Sequence, residues 1–327
     1  MEAKKGRREM KKFELTTEFI TNAFGKKLFR IKALVEFGDV KAGELGGYVE
    51  KEGNVSQAGN AWVYGNARVS GDARVSGNAW VYGNAWVYGD ARVYGDARVY
   101  GDARVYGDAE VYGDAWVSGD ARVYGDAWVS DNAWVYGNAR VYGNAWVYGD
   151  ARVSGNAWVS GNARVYGDAR VYGDARVYGD ARVSGDARVY GDARVYGDAR
   201  VSDNAWVYGD ARVYGDARVY GDARVYGNAE VSGNAEVYGD ARVCGNAWVY
   251  GNADYALVQG FGTEFRCTTF YRGKNKKIMV NCGCFHGDLE GFRKQVKETR
   301  NGKIAKEYLM IADLMEYHFT SEDSSDE

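Results

Sequence analysis

Three residues near the C-terminus could hold a metal ion by their type and spacing: Cys282, Cys284 and His286. They occupy every second position, so on one β-strand their side chains would point to the same side and face one ion together. The Cys-x-Cys-x-His spacing is not a common zinc signature, however, and small cysteines buried in a packed hairpin explain it more simply. We therefore predict no metal site and no cofactor, and keep these three residues as the alternative ligand set.

Tryptophan is the other residue type whose spacing suggests a function. The interval along the chain from Trp116 to Trp134 is the same as that from Trp128 to Trp146. Exposed Trp, Tyr and Arg are enriched where proteins bind one another, and aromatic platforms also bind glycans and single-stranded nucleic acids. We predict that these four residues form a patch for a protein partner, with a glycan or single-stranded nucleic acid as the less favoured ligand. The alternative without a binding role is cross-strand stacking, which by itself favours strand pairing.

A six-residue repeat determines where these side chains lie. Residues 59–252 repeat Gly-(Asp/Asn)-Ala-(Arg/Trp/Glu)-Val-(Tyr/Ser) without an insertion or deletion, and the first of 32 hexads begins at Gly59. Asp131 and Asp203 replace the leading Gly, and Cys244 replaces the last residue of its hexad. A short fixed period is typical of solenoids. The six positions of a hexad are numbered 1 (Gly) to 6 (Tyr or Ser).

The alternation within each hexad places Ala and Val on one side of a short strand, and Arg or Trp with Tyr or Ser on the other. Two arrangements of the hexads compete. An antiparallel meander with Gly-Asp turns would mix apolar and polar residues on both faces of the sheet and leave no coherent core. A parallel coil whose turn is a multiple of one hexad stacks Val on Val and Ala on Ala. The pattern therefore predicts a parallel β-solenoid.

The run Val-Tyr-Gly-Asp-Ala-Arg resembles the hexapeptide repeat of left-handed parallel β-helices, in which an inward aliphatic residue is followed four residues later by an inward small one. The resemblance implies three hexads per triangular coil, and a left hand that runs against the usual right-handed crossover. The expected fold is thus an all-β solenoid, a left-handed parallel β-helix of about 11 triangular coils. All ten Trp are expected to face outward. Three pairs, each separated by three hexads, are expected to stack on adjacent coils: Trp62 on Trp80, Trp116 on Trp134, and Trp128 on Trp146.

The segments that flank the repeat are predicted to be caps, because an uncovered edge strand at either end would polymerise. Residues 27–64, which include Leu-Gly-Gly-Tyr-Val-Glu at 45–50, resemble the N-terminal segment of YdcK-like hexapeptide-repeat proteins of bacteria and phages. Residues 283–292 resemble part of a small ββαα module that is common in phage and prophage proteins, and this resemblance implies no activity. We therefore expect a small β cap at the N-terminus and a small α+β cap at the C-terminus.

The predicted organisation has five segments. They are a disordered leader at 1–9, an N-terminal cap at 10–58, the repeat at 59–252, a C-terminal ββαα module at 253–320, and an acidic disordered tail at 321–327. In the C-terminal module, strands are predicted at 264–271 and 277–285, with a turn at 272–275 between them. Helices are predicted at 289–299, after an Asp288 cap, and at 303–319.

Composition excludes several classes of protein. The net charge of -3 argues against a protein that coats nucleic acid by bulk electrostatics. The four cysteines fit a reducing compartment better than a disulfide framework. Because no window of about 18 apolar residues occurs, we expect neither a membrane span nor a secretory signal. We predict a location in the cytoplasm of the host cell or in a virion, with association into oligomers through the side faces left open.

Three functions are compatible with these features. We favour a non-catalytic rigid scaffold or partner-binding protein, derived from a phage or prophage by resemblance. The first alternative is an acyltransferase-like enzyme of the hexapeptide-repeat class, which would need a His base and a cleft built by loops. The hexads contain no His, and His286 and His318 lie in the C-terminal segment. The second alternative is a phage protein that inhibits or sequesters a component of the host.

Overall fold

The computed structural model describes residues 10–262, 266–273 and 276–320. The predicted leader at 1–9, the acidic tail at 321–327, the start of the predicted strand at 264 and two turn residues, 274 and 275, lie outside the described residues. The chain divides into two compact units, residues 1–156 and 157–327, and each is described by itself.

Every hexad forms one short strand, and within each unit a strand pairs in parallel with the strand three hexads away along the chain. Arg98, for example, pairs with Trp116, and Val99 pairs with Val117. Backbone N–H groups at positions 2, 4 and 6 donate to carbonyl groups of the next coil, as Arg98 does to Ala115 over 2.9 Å. The predicted parallel solenoid of about 11 coils, each made of three hexads, is confirmed; the left hand stays a prediction.

In the first unit the repeat strands lie in three parallel sheets, which we call the Trp116, Trp128 and Arg104 faces. The Trp116 face comprises Trp62–Val63, Trp80–Val81, Arg98–Val99, Trp116–Val117, Trp134–Val135 and Arg152–Val153. The Trp128 face comprises Arg74–Val75, Arg92–Val93, Glu110–Val111, Trp128–Val129 and Trp146–Val147. The Arg104 face comprises Arg68–Val69, Trp86–Gly89, Arg104–Gly107, Arg122–Tyr124 and Arg140–Tyr142.

The repeat strands of the second unit also form three parallel sheets. The first comprises Trp158–Val159, Arg176–Val177, Arg194–Val195, Arg212–Val213, Glu230–Val231 and Trp248–Val249. The second comprises Arg170–Val171, Arg188–Val189, Trp206–Val207, Arg224–Val225 and Arg242–Val243. The third comprises Arg164–Val165, Arg182–Val183, Arg200–Val201, Arg218–Val219 and Glu236–Val237.

In both units the core of the solenoid consists of the Ala at position 3 and the Val at position 5. All of these side chains are fully buried, from Ala61 to Val249. Small residues suffice because three short strands per coil enclose a narrow space, in which each side chain packs on its counterparts in the neighbouring coils. The outward positions 4 and 6 do not contribute to this core, so their residue types are free to serve another purpose.

The turns between strands require a left-handed backbone at position 1. The Gly residues there have φ near +70°, and the two exceptions, Asp131 and Asp203, adopt φ of 56° and 57°. Asp is among the non-glycine residues that tolerate this region best. Each of these Asp carboxylates also accepts a hydrogen bond from a Gly N–H one coil further, Asp131 from Gly149 over 3.1 Å and Asp203 from Gly221 over 3.2 Å. The two substitutions therefore keep the turn conformation.

The N-terminal cap is a sheet that continues into the solenoid. Its strands Phe13–Thr21, Lys27–Ala33 and Leu45–Val49 pair antiparallel, and the last of them pairs in parallel with Arg68–Val69. A short 3₁₀ helix, Glu52–Asn54, follows. Its last residue, Asn54, is fully buried and donates to the carbonyls of Gly71 and Ala73. Polar side chains thus satisfy backbone groups at the end of the coil.

Lys12 satisfies two further carbonyls at this end. Its ammonium group donates to Ala61 O over 2.8 Å and to Gly59 O over 3.2 Å, and it lies 4.7 Å from the centre of the Phe37 ring. Only 4% of the residue is exposed. Burial lowers the pKa of Lys12 to about 8, because a charged ammonium is poorly solvated in this position.

The lowered pKa of Lys12 predicts that stability rises with pH. Between about pH 8 and the ordinary lysine value of 10.5, the unfolded chain keeps the proton that the folded protein has released. By linkage, the free energy of unfolding then increases with pH. We expect the free energy of unfolding to increase by about 2 kcal/mol between pH of about 7.5 and 9.5, measured by urea unfolding. The Lys12→Met variant should be less stable and should lack the increase; an equal rise in both proteins would contradict the assignment to Lys12.

The C-terminal module is a four-stranded antiparallel sheet covered by two helices. Its strands are Tyr255–Phe261, Arg266–Arg272, Ile278–Cys282 and Phe285–Asp288, and its helices are α1 (Leu289–Thr299) and α2 (Gly302–Thr320). A 3₁₀ helix, Asn252–Asp254, precedes the sheet. Both predicted helices are present, and the Asp288 carboxylate caps α1 by accepting from the Gly291 N–H over 2.9 Å. That hydrogen bond also lowers the pKa of Asp288.

The predicted strand at 277–285 was wrong in one respect. The chain turns at Gly283, which has φ of +61°, so Ile278–Cys282 and Phe285–Asp288 form a hairpin. A Gly in the left-handed region is the usual signal for such a turn. In addition, Tyr255–Phe261 forms a strand at the edge of this sheet.

Candidate functional site

The Trp116 face carries a column of guanidinium and indole groups. Position 4 of five successive coils holds Trp80, Arg98, Trp116, Trp134 and Arg152. The indoles of Trp116 and Trp134 stack with ring centres 4.9 Å apart and an interplanar angle of 1°. Arg98 lies 5.1 Å from Trp116 at one end of this stack, and Arg152 lies 5.1 Å from Trp134 at the other. We call the four residues Arg98, Trp116, Trp134 and Arg152 the Trp–Arg ladder.

The solenoid itself sets this geometry. In-register parallel strands place identical positions about 4.8 Å apart, which is close to the stacking distance of aromatic rings and of a guanidinium on an indole. The ladder is therefore rigid, because each ring is held by the backbone pairing beneath it and by a neighbour above or below. A preorganised surface of this kind loses little conformational entropy on binding.

A groove runs beside the ladder, with a volume of about 390 Å³. Its other side consists of the position-2 residues at the corner of the same coils: Asp96, Asp114, Asn132 and Asp150. Three carboxylates thus face two guanidinium groups across stacked indoles. Trp134 is 37% exposed, whereas Trp116 is half-buried. The groove offers both charges and apolar ring surface to a ligand.

A second groove continues the first toward the N-terminal cap. It measures about 530 Å³ and is lined by Asp39, Tyr64, Trp80, Tyr82 and Arg98. The two grooves share Arg98, which lies 5.4 Å from Trp80. Burial raises the pKa of Tyr64 to about 12. Asp39, Trp80 and Arg98 were not among the predicted site residues, although the three-hexad spacing from Arg98 to Trp80 and to Trp116 indicates that these three outward residues stack.

The four predicted site residues form two separate pairs. Trp128 and Trp146 stack as expected, with ring centres 4.9 Å apart. They lie in the Trp128 face, a different sheet from that of Trp116 and Trp134. The neighbour of Trp128 in the preceding coil is Glu110, which forms an ion pair with Arg92 rather than a contact with an indole. The stacked indole pair with an arginine at each end is thus seen on the Trp116 face, whereas in the second unit the single indole of Trp206 lies 4.8 Å from both Arg188 and Arg224.

Trp62 occupies the outward position 4 of its hexad, as expected, but unlike the other nine Trp it is not accessible to solvent. Its strand pairs with Trp80 in register, but the residue is fully buried under the N-terminal cap. Phe13 and Phe37 pack edge-on against its ring, with centres 5.9 and 5.3 Å away. The first hexad is covered because an open end of the solenoid would expose its core, and the large indole fills the space between coil and cap.

Cys282, Cys284 and His286 do not lie on one strand, so the premise of the alternative ligand set was wrong. The turn at Gly283 separates them, and Cys282 pairs with Phe285 while His286 pairs with Asn281. Cys282 accepts from the Thr268 hydroxyl, and Cys284 is exposed. Within the described part of the chain, no group of three or more His, Cys, Asp or Glu is placed to hold a metal ion.

His286 belongs instead to a polar cluster where the C-terminal module meets the last coil. Its Nε2 atom lies 3.1 Å from the Tyr271 hydroxyl, which lies 3.3 Å from the Cys244 thiol. The Asn281 amide donates to the same thiol over 3.1 Å. Burial raises the pKa of Tyr271. Cys244, which departs from the Tyr/Ser rule, is therefore buried against this module and contacts both Tyr271 and Asn281.

The other histidine, His318, lies on α2 rather than beside this cluster. In the alternative acyltransferase function, a His base would stand in a cleft built by loops that interrupt the coils. The repeat from Gly59 to Tyr250 has one strand per hexad throughout, with no such interruption.

The described helices include none that is long and apolar enough to cross a membrane.

Comparison with known families identifies the repeat. A family model described as YdcK Beta solenoid repeat matches the chain many times over, from residues 61–75 to residues 217–233. Together the matches cover residues 61–131 and 133–233, which is more than half of the chain. No curated protein matches the sequence.

Proposed function

The chain belongs to the YdcK β-solenoid repeat family, and from this premise we propose that it is a non-catalytic scaffold that binds a protein partner through the Trp–Arg ladder. The observation that carries the proposal is the Trp116–Trp134 stack, held between Arg98 and Arg152 beside an open groove. Trp and Arg are the residues that most often dominate the binding energy of protein interfaces. Here two stacked Trp lie between two Arg on one face of the first unit.

The ladder exceeds what the fold needs for stability. The core is complete with Ala and Val alone, since these are fully buried in every hexad. At many other position-4 sites of the repeat the outward residue is Arg or Glu, and these strands pair in the same register, as Arg104 does with Arg122. Exposed indole surface is costly to leave in water, so its placement beside a groove supports a binding role.

The charges around the groove favour a protein over a nucleic acid. Three carboxylates, Asp96, Asp114 and Asp150, line the same groove as the two guanidinium groups. A phosphate backbone would be repelled by these carboxylates, whereas a protein surface with both basic and acidic groups would match them. A glycan can stack on indoles without charged groups, so the binding experiment must distinguish a glycan ligand from a protein partner.

The resemblance of the flanking segments further suggests a phage or prophage origin. We accordingly propose that the scaffold acts in the cytoplasm of a host cell or as part of a virion. A protein that inhibits or sequesters a host component would use the same surface, so the identity of the partner would separate this alternative from a structural role.

Substitution of the ladder tests the proposed function. The Trp116→Ser/Trp134→Ser variant should lose at least about ten-fold in capture of a specific protein from host lysate, because truncating interface Trp typically costs more than about 1.4 kcal/mol each. Serine is tolerated at exposed strand positions, so circular dichroism should remain unchanged.

Two matched double variants serve as controls: Trp128→Ser/Trp146→Ser in the other face, and Trp206→Ser/Trp248→Ser in the second unit. Both should retain the partner. If all three double variants bind equally well, the ladder is not the binding surface. If the captured material is released by glycosidase treatment, the ligand is a glycan rather than a protein, which contradicts the proposal as stated.

A further inference from the structure

Helix α2 presents an apolar stripe that no described residue covers. Met310, Leu314 and Tyr317 are 61%, 58% and 72% exposed. They lie at i, i+4 and i+7, so they share one face of the helix. The opposite face is complete: Tyr308, Ile311, Ala312, Met315 and Phe319 are all buried in the core of the C-terminal module. The stripe is therefore a second apolar face on a helix whose packing within the module is already satisfied.

The charges along α2 are unevenly distributed. Its first half carries Lys303, Lys306 and Glu307, of which Lys303 and Glu307 form an ion pair over 3.5 Å, and its second half carries Asp313 and Glu316. This order runs against the helix macrodipole, which favours acidic residues at the N-terminus and basic residues at the C-terminus. This order of charges is unfavourable for the helix in isolation, and a neighbouring helix with the opposite order would stabilise it.

A second copy of α2 in antiparallel orientation supplies that neighbour. It would set the basic start of one helix beside the acidic second half of the other, and it would place the two macrodipoles favourably. Met310 and Leu314 of one copy would meet Leu314 and Met310 of the other near the two-fold axis, as in any isologous interface. Asp313 and Glu316 already pair with Arg293, yet their side chains remain 71% and 54% exposed, so each can accept a second cation.

We propose that two copies of this chain associate through the Met310, Leu314 and Tyr317 stripe of α2, packed antiparallel. The contact is small, because a stable interface buries about 800 Å² per partner and one helix face provides less than that. The dimer should therefore form in the micromolar range rather than the nanomolar range. The proposal concerns the second unit and is independent of the Trp–Arg ladder in the first.

Sedimentation equilibrium of the full chain tests the dimer. The unchanged protein should convert from monomer to dimer over about 1 to 100 µM. Leu314→Lys should raise the dissociation constant at least about ten-fold, because a charge would be buried in the apolar contact. The matched control is Phe24→Lys, which changes a Phe that is 68% exposed in the N-terminal cap and should leave the dissociation constant unchanged.

A second variant separates a dimer defect from a folding defect. Lys306→Glu places an acid near the N-terminus of α2, which favours the isolated helix, yet it removes the cation that faces the acidic half of the partner. The melting temperature should stay the same or rise while the dissociation constant increases. The proposal is overturned if the unchanged protein stays monomeric at about 100 µM, or if it dimerises and neither α2 variant weakens the dimer.

Discussion

Replacing Asn54 with Leu is expected to lower the free energy of unfolding by about 3 kcal/mol. The Asn54 amide donates to Gly71 O and Ala73 O over 3.0 and 2.8 Å, and its carbonyl accepts from the Lys51 N–H over 2.8 Å. Leu has a similar volume but can replace none of these bonds. Because Asn54 is fully buried, water cannot replace the lost hydrogen bonds. Each backbone group left without a partner lowers the free energy of unfolding by about 1 to 3 kcal/mol.

Urea unfolding followed by circular dichroism, together with amide hydrogen exchange in residues 10–75, would measure the loss. The matched control is Asn84→Leu, which removes a hydrogen bond to Asp102 that is exposed to solvent and should cost less than about 0.5 kcal/mol. Equal losses in the two variants would show that Asn54 does not seal the end of the coil. A loss of hydrogen-exchange protection confined to the first unit would be consistent with the near-additive stability of repeat proteins.

Gly101→Ala is the second substitution with a large expected effect, a loss of about 2 to 3 kcal/mol. Gly101 has φ of +71°, which alone costs an L-residue about 1 to 2 kcal/mol. In addition, a Cβ atom at this position would lie 3.0 Å from the Gly119 nitrogen of the next coil. That neighbour is backbone within a continuous ladder, so it cannot move without disturbing its own hydrogen bonds. The shift of the urea midpoint gives the measurement.

Asp131→Gly provides the reverse comparison. Glycine would relieve the strain of a residue at φ 56°, but it would also lose the hydrogen bond from the Gly149 N–H to the carboxylate. These effects oppose each other, so the net change should stay within about 1 kcal/mol. If Gly101→Ala proved as harmless as Asp131→Gly, the left-handed turn would not be what selects Gly at position 1.

Most of the solenoid could be predicted from the sequence because its period is strict. An alternation of Ala and Val with polar residues defines the inward side of every strand, and a constant hexad makes every parallel coil of three hexads repeat the same contacts. The resemblance of the hexads supplied the coil length, which periodicity alone left open. In the C-terminal module, Asp288 before an amphipathic run likewise sufficed to place α1.

The single strand predicted at 277–285 shows that an alternating pattern does not by itself predict where a strand ends. Alternating residues continue through Gly283, so the pattern gives no reason to end the strand there. The hairpin forms because both of its strands find partners in the same sheet. The alternative ligand set of Cys282, Cys284 and His286 depended on the unbroken strand, and it failed for the same reason.

The sequence by itself determined the inward residues and the parallel coil, because both follow from the alternation and the strict period of the hexads. Once the resemblance had supplied three hexads per coil, the spacing along the chain also gave two of the three predicted Trp stacks, Trp116–Trp134 and Trp128–Trp146. The tertiary structure decided which outward residues share a groove and why Trp62 and Cys244 are buried. Those properties depend on contacts between segments with no common period, such as the Asp39 loop beside Arg98 or Tyr271 beside Cys244. Packing of non-repeating segments on a repeat is set by shape and hydrogen bonding at the contact, which no local pattern encodes.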